Sequence, residues 1–236
     1  MTPSSNPDGP VPLRYFAFGS NLWQSQMSLR CPASPYSGLG RLRGYKWFIN
    51  ARGYANIAPT STGDNGDGDD EVWGLVYDLS RADEARLDVN EGVPYAYEKR
   101  VVPVEFWPSS SADLEDGVGN GEGKPEVVDM LVYIDFKRNQ GGHQPRAEYV
   151  HRMNMGIKDA VREGVPQAYV DAALRKYIPP EEEADTGAIL LAQRQAAGFK
   201  DESGIYPQTG SGVVSGEEEE LPERASEVCY MGKFGM

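Results

Sequence analysis

The chain has 236 residues, room for one large domain with attachments and enough to bury a core. With 23 Lys and Arg against 36 Asp and Glu, its net charge of −13 excludes a partner held by phosphate neutralisation, so no nucleic acid is expected. No apolar run approaches the roughly 20 residues that cross a bilayer, and the start "MTPSSNPDGPVP" has neither a basic nor an apolar leader region. The chain therefore reads as cytoplasmic, without a membrane partner.

Residues 1–12 read as a flexible N-terminus. Then "RYFAFGSNLW" runs as an apolar strand over Tyr15 to Phe18, breaks at Gly19, Ser20 and Asn21, and enters a helical pattern over Leu22 to Arg30. Two cysteines, Cys31 and Cys229, are too few for a disulfide framework and read as inert thiols. Short β-rich runs follow in "GYKWFINA", "YANIA", "EVWGLVYDL", "EKRVVPVEFW" and "VVDMLVYIDF", each bounded by Gly, Pro or acidic turns. Two loop insertions, 60–71 and 108–126, interrupt them. The Asp-rich first one lacks a terminal Glu at the register an EF-hand needs and has no helical flanks.

Further helical patterns occupy "SRADEARLDV", with Ser80 as N-cap and Asp83 completing a capping-box pattern, and "PRAEYVHRMNMGIKDAVREG", with Val150, Met153, Ile157 and Val161 on one face. An amphipathic piece, "QAYVDAALRKY", stops at Pro179. Strands and helices do not alternate regularly, so the fold class is α+β over residues 13–180 rather than a doubly wound sheet. Residues 181–236 carry 12 acidic and 4 basic side chains, a net of −8 that leaves −5 on the rest. They read as an acidic, Gly-rich and largely flexible tail, in which "AILLAQRQAAGF" could dock as one short helix.

An apolar strand that stops at Gly-Ser-Asn before a helix can present unpaired backbone N–H groups to a carboxylate or an oxyanion; the same pattern also fits a plain turn capped by Asn21. Glu91 lies just beyond the helix that starts at Ser80, with Gly92 as a natural stop. The negative end of that helix dipole, together with Val93, Tyr95 and Tyr97, would raise the pKa of a buried Glu91 towards that of a general base working near neutrality. His143 and His151, eight residues apart and without a carboxylate cluster, are poor metal ligands, and Ser20 lacks the second Gly of a nucleophile elbow. No metal or organic cofactor is expected.

Four blocks in order, "YFAFGSNL", "DEVWGLVYDLS", "LDVNEGV" and "EYVHRMNMGIKDAVREGVPQAY", closely resemble the γ-glutamyl cyclotransferase family from about Arg14 to Ile178. The resemblance implies a small mixed β-barrel of about six strands flanked by helices. It implies Glu91 as the catalytic acid and base, and Phe18, Gly19, Ser20, Asn21 and Leu22 as the loop around a γ-glutamyl substrate. Tyr149 and, after a shift of one residue, Tyr97 match pocket tyrosines. Many members have Tyr where this chain has Phe18. The expected partner is a small-molecule γ-glutamyl substrate, with a homodimer left open. Alternatives are removal of the γ-glutamyl group from a glutathione-derived conjugate in sulfur-containing secondary metabolism, or a non-catalytic member of the fold.

Overall fold

The computed structural model describes residues 13–60, 70–109, 124–181 and 186–198. The expected flexible N-terminus, residues 61–69 and 110–123 of the two loop insertions, and, of the tail, residues 182–185 and everything beyond 198 with Cys229 lie outside the described residues. Of the insertions' edges, Glu71, Pro108 and Glu126 belong to strands.

Tyr15, Phe16 and Ala17 are all buried in β1 (Leu13–Ala17), so this strand is enclosed on both faces, as its continuous apolar run requires. It pairs antiparallel with β5 (Glu71–Leu79) and, at Tyr15 opposite Leu131, parallel with β7 (Glu126–Ile134). The circuit closes through β2 (Tyr36–Arg43) and β6 (Glu98–Pro108) in the order β1-β5-β2-β6-β7. The α+β class and the small mixed barrel flanked by helices are as the family resemblance implied, with five strands in the barrel. β3 (Tyr45–Ile49) and β4 (Ala55–Pro59) form a separate two-stranded sheet.

The composition of β2, "YSGLGRLR", conceals it as a strand, because glycine is poor in β-propensity. Packing explains the glycines: Gly40 faces Gly74 of β5, and a Cβ on either would come within 2.8 Å of the Phe16 ring. The barrel closes over Phe16 because both walls have been thinned there.

The helices position the site. A 3-10 turn (Ser20–Leu22) leads from β1 into α1 (Gln24–Arg30). α2 (Arg81–Asn90) is capped by Ser80, whose Oγ accepts from the Asp83 N–H at 3.2 Å. The reciprocal half of the expected capping box is absent: Asp83 accepts from Ala33 N and Ser34 Oγ at 2.8 Å each, and Ser34 Oγ in turn satisfies the Ser80 N–H. Asp83 thereby joins α2 to the loop after α1.

On α3 (Ala147–Arg162) the deeply buried apolar positions are Tyr149, Met153, Ile157 and Ala160, while Val150 and Val161 only flank them. The "QAYVDAALRKY" piece forms α4 (Gln167–Tyr169) and a π-helical turn (Val170–Leu174). The stretch "AILLAQRQAAGF" lies largely in α5 (Thr186–Ala197), which packs against α1 and α3 through Ala192, Gln195 and Ala196.

Candidate active site

The C-terminus of α2 delivers Glu91. Leu87 anchors the helix in the core, and a left-handed Gly92 (φ 64°) ends it in a complete Schellman motif: Gly92 N donates to Val89 O at 3.2 Å and Val93 N to Asp88 O at 3.0 Å. This makes Glu91 the last residue before the reversal and brings it to the cavity that Tyr15 of β1 and Tyr133 of β7 also line. There it meets the strand-to-helix loop, and Asn21 Nδ2 donates to Glu91 Oε1 at 3.1 Å.

Together they border a cavity of about 490 Å³, counting the solvent at its mouth. Phe18, Gly19, Ser20, Asn21, Glu91, Tyr97 and Tyr149 all line it, so the structure brings together seven of the eight residues singled out from the sequence. Leu22 is not among the lining residues. It is 1 % exposed and packs under α3, where a Cβ on Gly156 would approach its Cβ to 2.9 Å. Tyr95, expected beside Glu91, is 62 % exposed and is likewise not on the cavity wall.

Each arm of the loop is held. Trp47 Nε1 donates to Phe18 O at 2.9 Å, and Tyr77 Oη to Asn21 O at 3.2 Å. The Asn21 amide is oriented from both ends: Gln26 Nε2 and Arg30 Nη1 donate to its Oδ1 at 2.7 and 3.0 Å, leaving its NH₂ to reach Glu91 and Tyr15 Oη. Ser20 Oγ accepts from Gln26 Nε2 at 3.0 Å and from Arg152 Nη1 at 3.1 Å; neither is a base that could activate it as a nucleophile. Tyr149 Oη accepts from Ala55 N at 3.2 Å and from the Ser20 backbone N–H. Tyr97 Oη donates to Ala55 O at 2.9 Å.

The electrostatics are those of a carboxylate among buried cations. Removal from water pushes the Glu91 carboxyl above its ordinary range, against the opposing pull of Arg30, Arg52, the Asn21 hydrogen bond and Arg152. Burial lowers Arg30 to about 10, with Arg152 acting in the same direction. Burial raises the Tyr149 phenol to about 12, and Tyr97 and Tyr15 well above the usual phenol value. Cys31 is buried, and its thiol is pushed up to about 12.

Sequence reasoning missed Arg30, Arg152, Tyr15, Tyr54 and Tyr133, which also line the cavity. Arg152 is 1 % exposed and bonded through Nε and Nη2 to Glu148 at 2.8 and 3.2 Å, a buried pair whose i,i+4 spacing looks in sequence like an ordinary solvated helix pair. Tyr15 and Tyr133 were concealed within strands as core residues, and Tyr54 in the turn before β4. His151 Nδ1 lies 2.8 Å from Glu181 Oε2 and is not among the lining residues; His143 is exposed. Among the described residues no group of three or more His, Cys, Asp or Glu stands together as a metal site, and no helix is long and apolar enough to cross a membrane.

A carboxylate hydrogen-bonded to a Gly-Ser-Asn loop, in a cavity lined also by Arg30, Arg152 and tyrosines of the barrel strands, is the site this fold builds. Residues 15–145 match the family described as gamma-glutamyl cyclotransferase, AIG2-like. The chain is 29 % identical over 175 residues to a mouse gamma-glutamylcyclotransferase, covering 71 % of this chain and 79 % of that one, and 32 % identical over 108 residues to a bovine one, covering 43 % and 54 %. Among solved structures, a gamma-glutamyl cyclotransferase shares the fold at a TM-score of 0.52 and 22 % identity, covering 77 % of this chain and 98 % of that one. A human protein solved as uncharacterised does so at 0.54 and 24 %, covering 78 % and 99 %. The family match spans more than half of the chain: it belongs to the γ-glutamyl cyclotransferase family.

Proposed function

We propose that the protein is a γ-glutamyl cyclotransferase that releases 5-oxoproline and a free amine from γ-glutamyl amino acids or peptides. The observation that carries this reading is Glu91, a carboxyl raised by burial and held 3.1 Å from the Asn21 amide on the cavity wall. The substrate's α-amine is an ammonium at neutral pH, so a base must take a proton before it can attack. A raised carboxylate has the basicity to do so and the acidity to return the proton. Glu91 accepts one proton from the ammonium, the α-nitrogen bonds to the γ-carbonyl carbon to close the five-membered ring, and the bond to the leaving nitrogen breaks as Glu91 returns that proton to it; the ring nitrogen gives up its second excess proton to the departing amine, which leaves as an ammonium. No water is consumed.

The substrate's α-carboxylate suits the cationic side of the cavity, where Arg30 and Arg152 stand behind Asn21 and Ser20. The backbone N–H groups of the Gly19–Asn21 loop suit the developing oxyanion, a donor of that kind being worth about 3 kcal/mol. The rest of the rate comes from holding the γ-glutamyl chain folded for ring closure. Every group in this scheme belongs to the chain or the substrate.

The test is to incubate the protein with γ-glutamyl-alanine, glutathione and a glutathione S-conjugate and to quantify 5-oxoproline. Product from at least one of them, lost about 100-fold or more in Glu91→Gln, is expected. Absence of product from all three, or a fully active Glu91→Gln, overturns the reading.

A further inference from the structure

The C-terminal end of α5 reaches the site through Arg30. Arg30 is 4 % exposed, and each of its nitrogens has an acceptor: Nε donates to Ala196 O at 3.1 Å, Nη2 to Gln195 O at 2.6 Å and Nη1 to Asn21 Oδ1 at 3.0 Å. Two of those acceptors are carbonyls of the last turn of α5, at the negative end of its dipole. A buried guanidinium is an unusually good partner for them, since its planar fork can bridge carbonyls from one helix to an amide on another element. The third bond orients the Asn21 amide, because an oxygen held by Arg30 and Gln26 leaves the NH₂ end to face Glu91 Oε1.

We infer that Arg30, clamped by the α5 carbonyls of Gln195 and Ala196, is a positioning residue that orients Asn21 towards Glu91, so that the docking of α5 is coupled to the catalytic carboxyl. The coupling runs through three contiguous hydrogen bonds between groups that are buried or half-buried. Its catalytic consequence rests on the reading of Glu91 as general base, but the coupling itself does not. Three guanidiniums face Glu91: Arg30 from α1, Arg52 from the turn between β3 and β4, and Arg152 from α3. The other titratable groups around it are the Tyr15, Tyr97, Tyr133 and Tyr149 phenols and the Cys31 thiol, all raised by burial and neutral near pH 7. Arg30 is bonded to α5 through the Gln195 and Ala196 carbonyls.

The experiment is a carboxyl NMR titration of Glu91 in the full chain, with the resonance assigned by its loss in Glu91→Gln. Wild type is compared with Arg30→Gln, Arg30→Lys and Ala192→Glu. The last alters no residue of the cavity wall; it puts a charge at a fully buried α5 position and should lift the helix off. The Glu91 midpoint should move to higher pH in Arg30→Gln, which loses the cation and the fork, and move in the same direction in Ala192→Glu. Arg30→Lys keeps the charge but cannot bridge three acceptors, and should fall between wild type and Arg30→Gln. If Arg30→Gln fails to fold, Ala192→Glu still decides the matter. An unchanged midpoint in folded Ala192→Glu overturns the coupling. A wild type that makes no 5-oxoproline while the midpoints shift as expected overturns the proposed function and leaves the coupling standing.

Discussion

Asn21 and Glu91 are 70 residues apart in sequence and 3.1 Å apart in space, joined by one hydrogen bond from the amide Nδ2 to the carboxyl Oε1. That bond favours the ionised form, and it is one of the influences that draw Glu91 back towards its ordinary range. Asn21→Ala should therefore raise the Glu91 pKa further. If the deprotonated carboxyl is the active form of the free enzyme, the acid limb of the kcat/KM profile moves to higher pH. A hydrogen bond to a charged group is worth about 1.5–3 kcal/mol, so kcat/KM at neutral pH should fall roughly 10- to 100-fold. A variant with the wild-type acid limb would show that the bond plays no part in setting the base.

The same carboxyl makes a prediction about stability. Its folded-state pKa lies above its unfolded value of about 4.3, so the folded chain binds the proton more tightly than the unfolded chain. The stabilisation is complete below the unfolded value and is lost as pH rises through the folded one. Glu91→Gln mimics the protonated form at every pH and should not lose it. Calorimetry should find the two proteins closest in Tm near pH 4, with Glu91→Gln increasingly the more stable as pH rises towards 7. A constant difference across that range would mean that Glu91 ionises as freely in the folded chain as in the unfolded one.

The pairing of Asn21 with Glu91 was open to inference because both lie at helix boundaries, where a Gly-Ser-Asn break and an Asn-Glu-Gly stop leave local signatures. The strands of "EVWGLVYDL" and "VVDMLVYIDF" announced themselves by Val and aromatic content. β2 did not, because the requirement that shapes it, room for Phe16 beneath Gly40 and Gly74, is set by residues distant in sequence. Arg30 and Arg152 were concealed for the opposite reason. Arginine on a helix is ordinarily solvated, and only the tertiary fold shows that these two are buried against α5 carbonyls, Ser20 and Glu148. Leu22 was misjudged by one position: the 3-10 turn after Gly19 directs Ser20 and Asn21 to the cavity and Leu22 to the core.

Gly156 is where α3 touches that turn. At an open helix position Gly→Ala would stabilise by about 1 kcal/mol through helix propensity. Here the new Cβ would lie 2.9 Å from Leu22 Cβ and 3.0 Å from Trp23 N, and one of these is backbone that cannot rotate away. Overpacking of this kind costs about 1–3 kcal/mol and outweighs the propensity gain. Gly156→Ala should lower Tm and, by displacing the turn that carries Ser20 and Asn21, lower kcat/KM as well. A Tm above wild type would mean that α3 and the turn separate more readily than their close contact implies.

Tyr149 separates the stability of the loop from its use. Its phenol oxygen accepts from the backbone N–H of Ala55 at 3.2 Å and from that of Ser20, and both residues are buried. Tyr149→Phe keeps the ring against Tyr54, with which it makes a perpendicular contact at 5.2 Å, but leaves two buried donors without that acceptor. A buried donor left unsatisfied costs about 1–3 kcal/mol, which in a chain of this size lowers Tm by roughly 2–4 °C per kcal/mol. The substrate offers replacement acceptors in its γ-carbonyl and carboxylate, so its binding should restore part of what the phenol supplied. The expected outcome is a lower Tm without ligand, a larger Tm rise on adding a non-cleavable γ-glutamyl analogue than in wild type, and a KM that does not increase. A Tm equal to wild type without ligand would show that the two N–H groups do not depend on the phenol, and a raised KM would show that the hydroxyl itself binds the substrate.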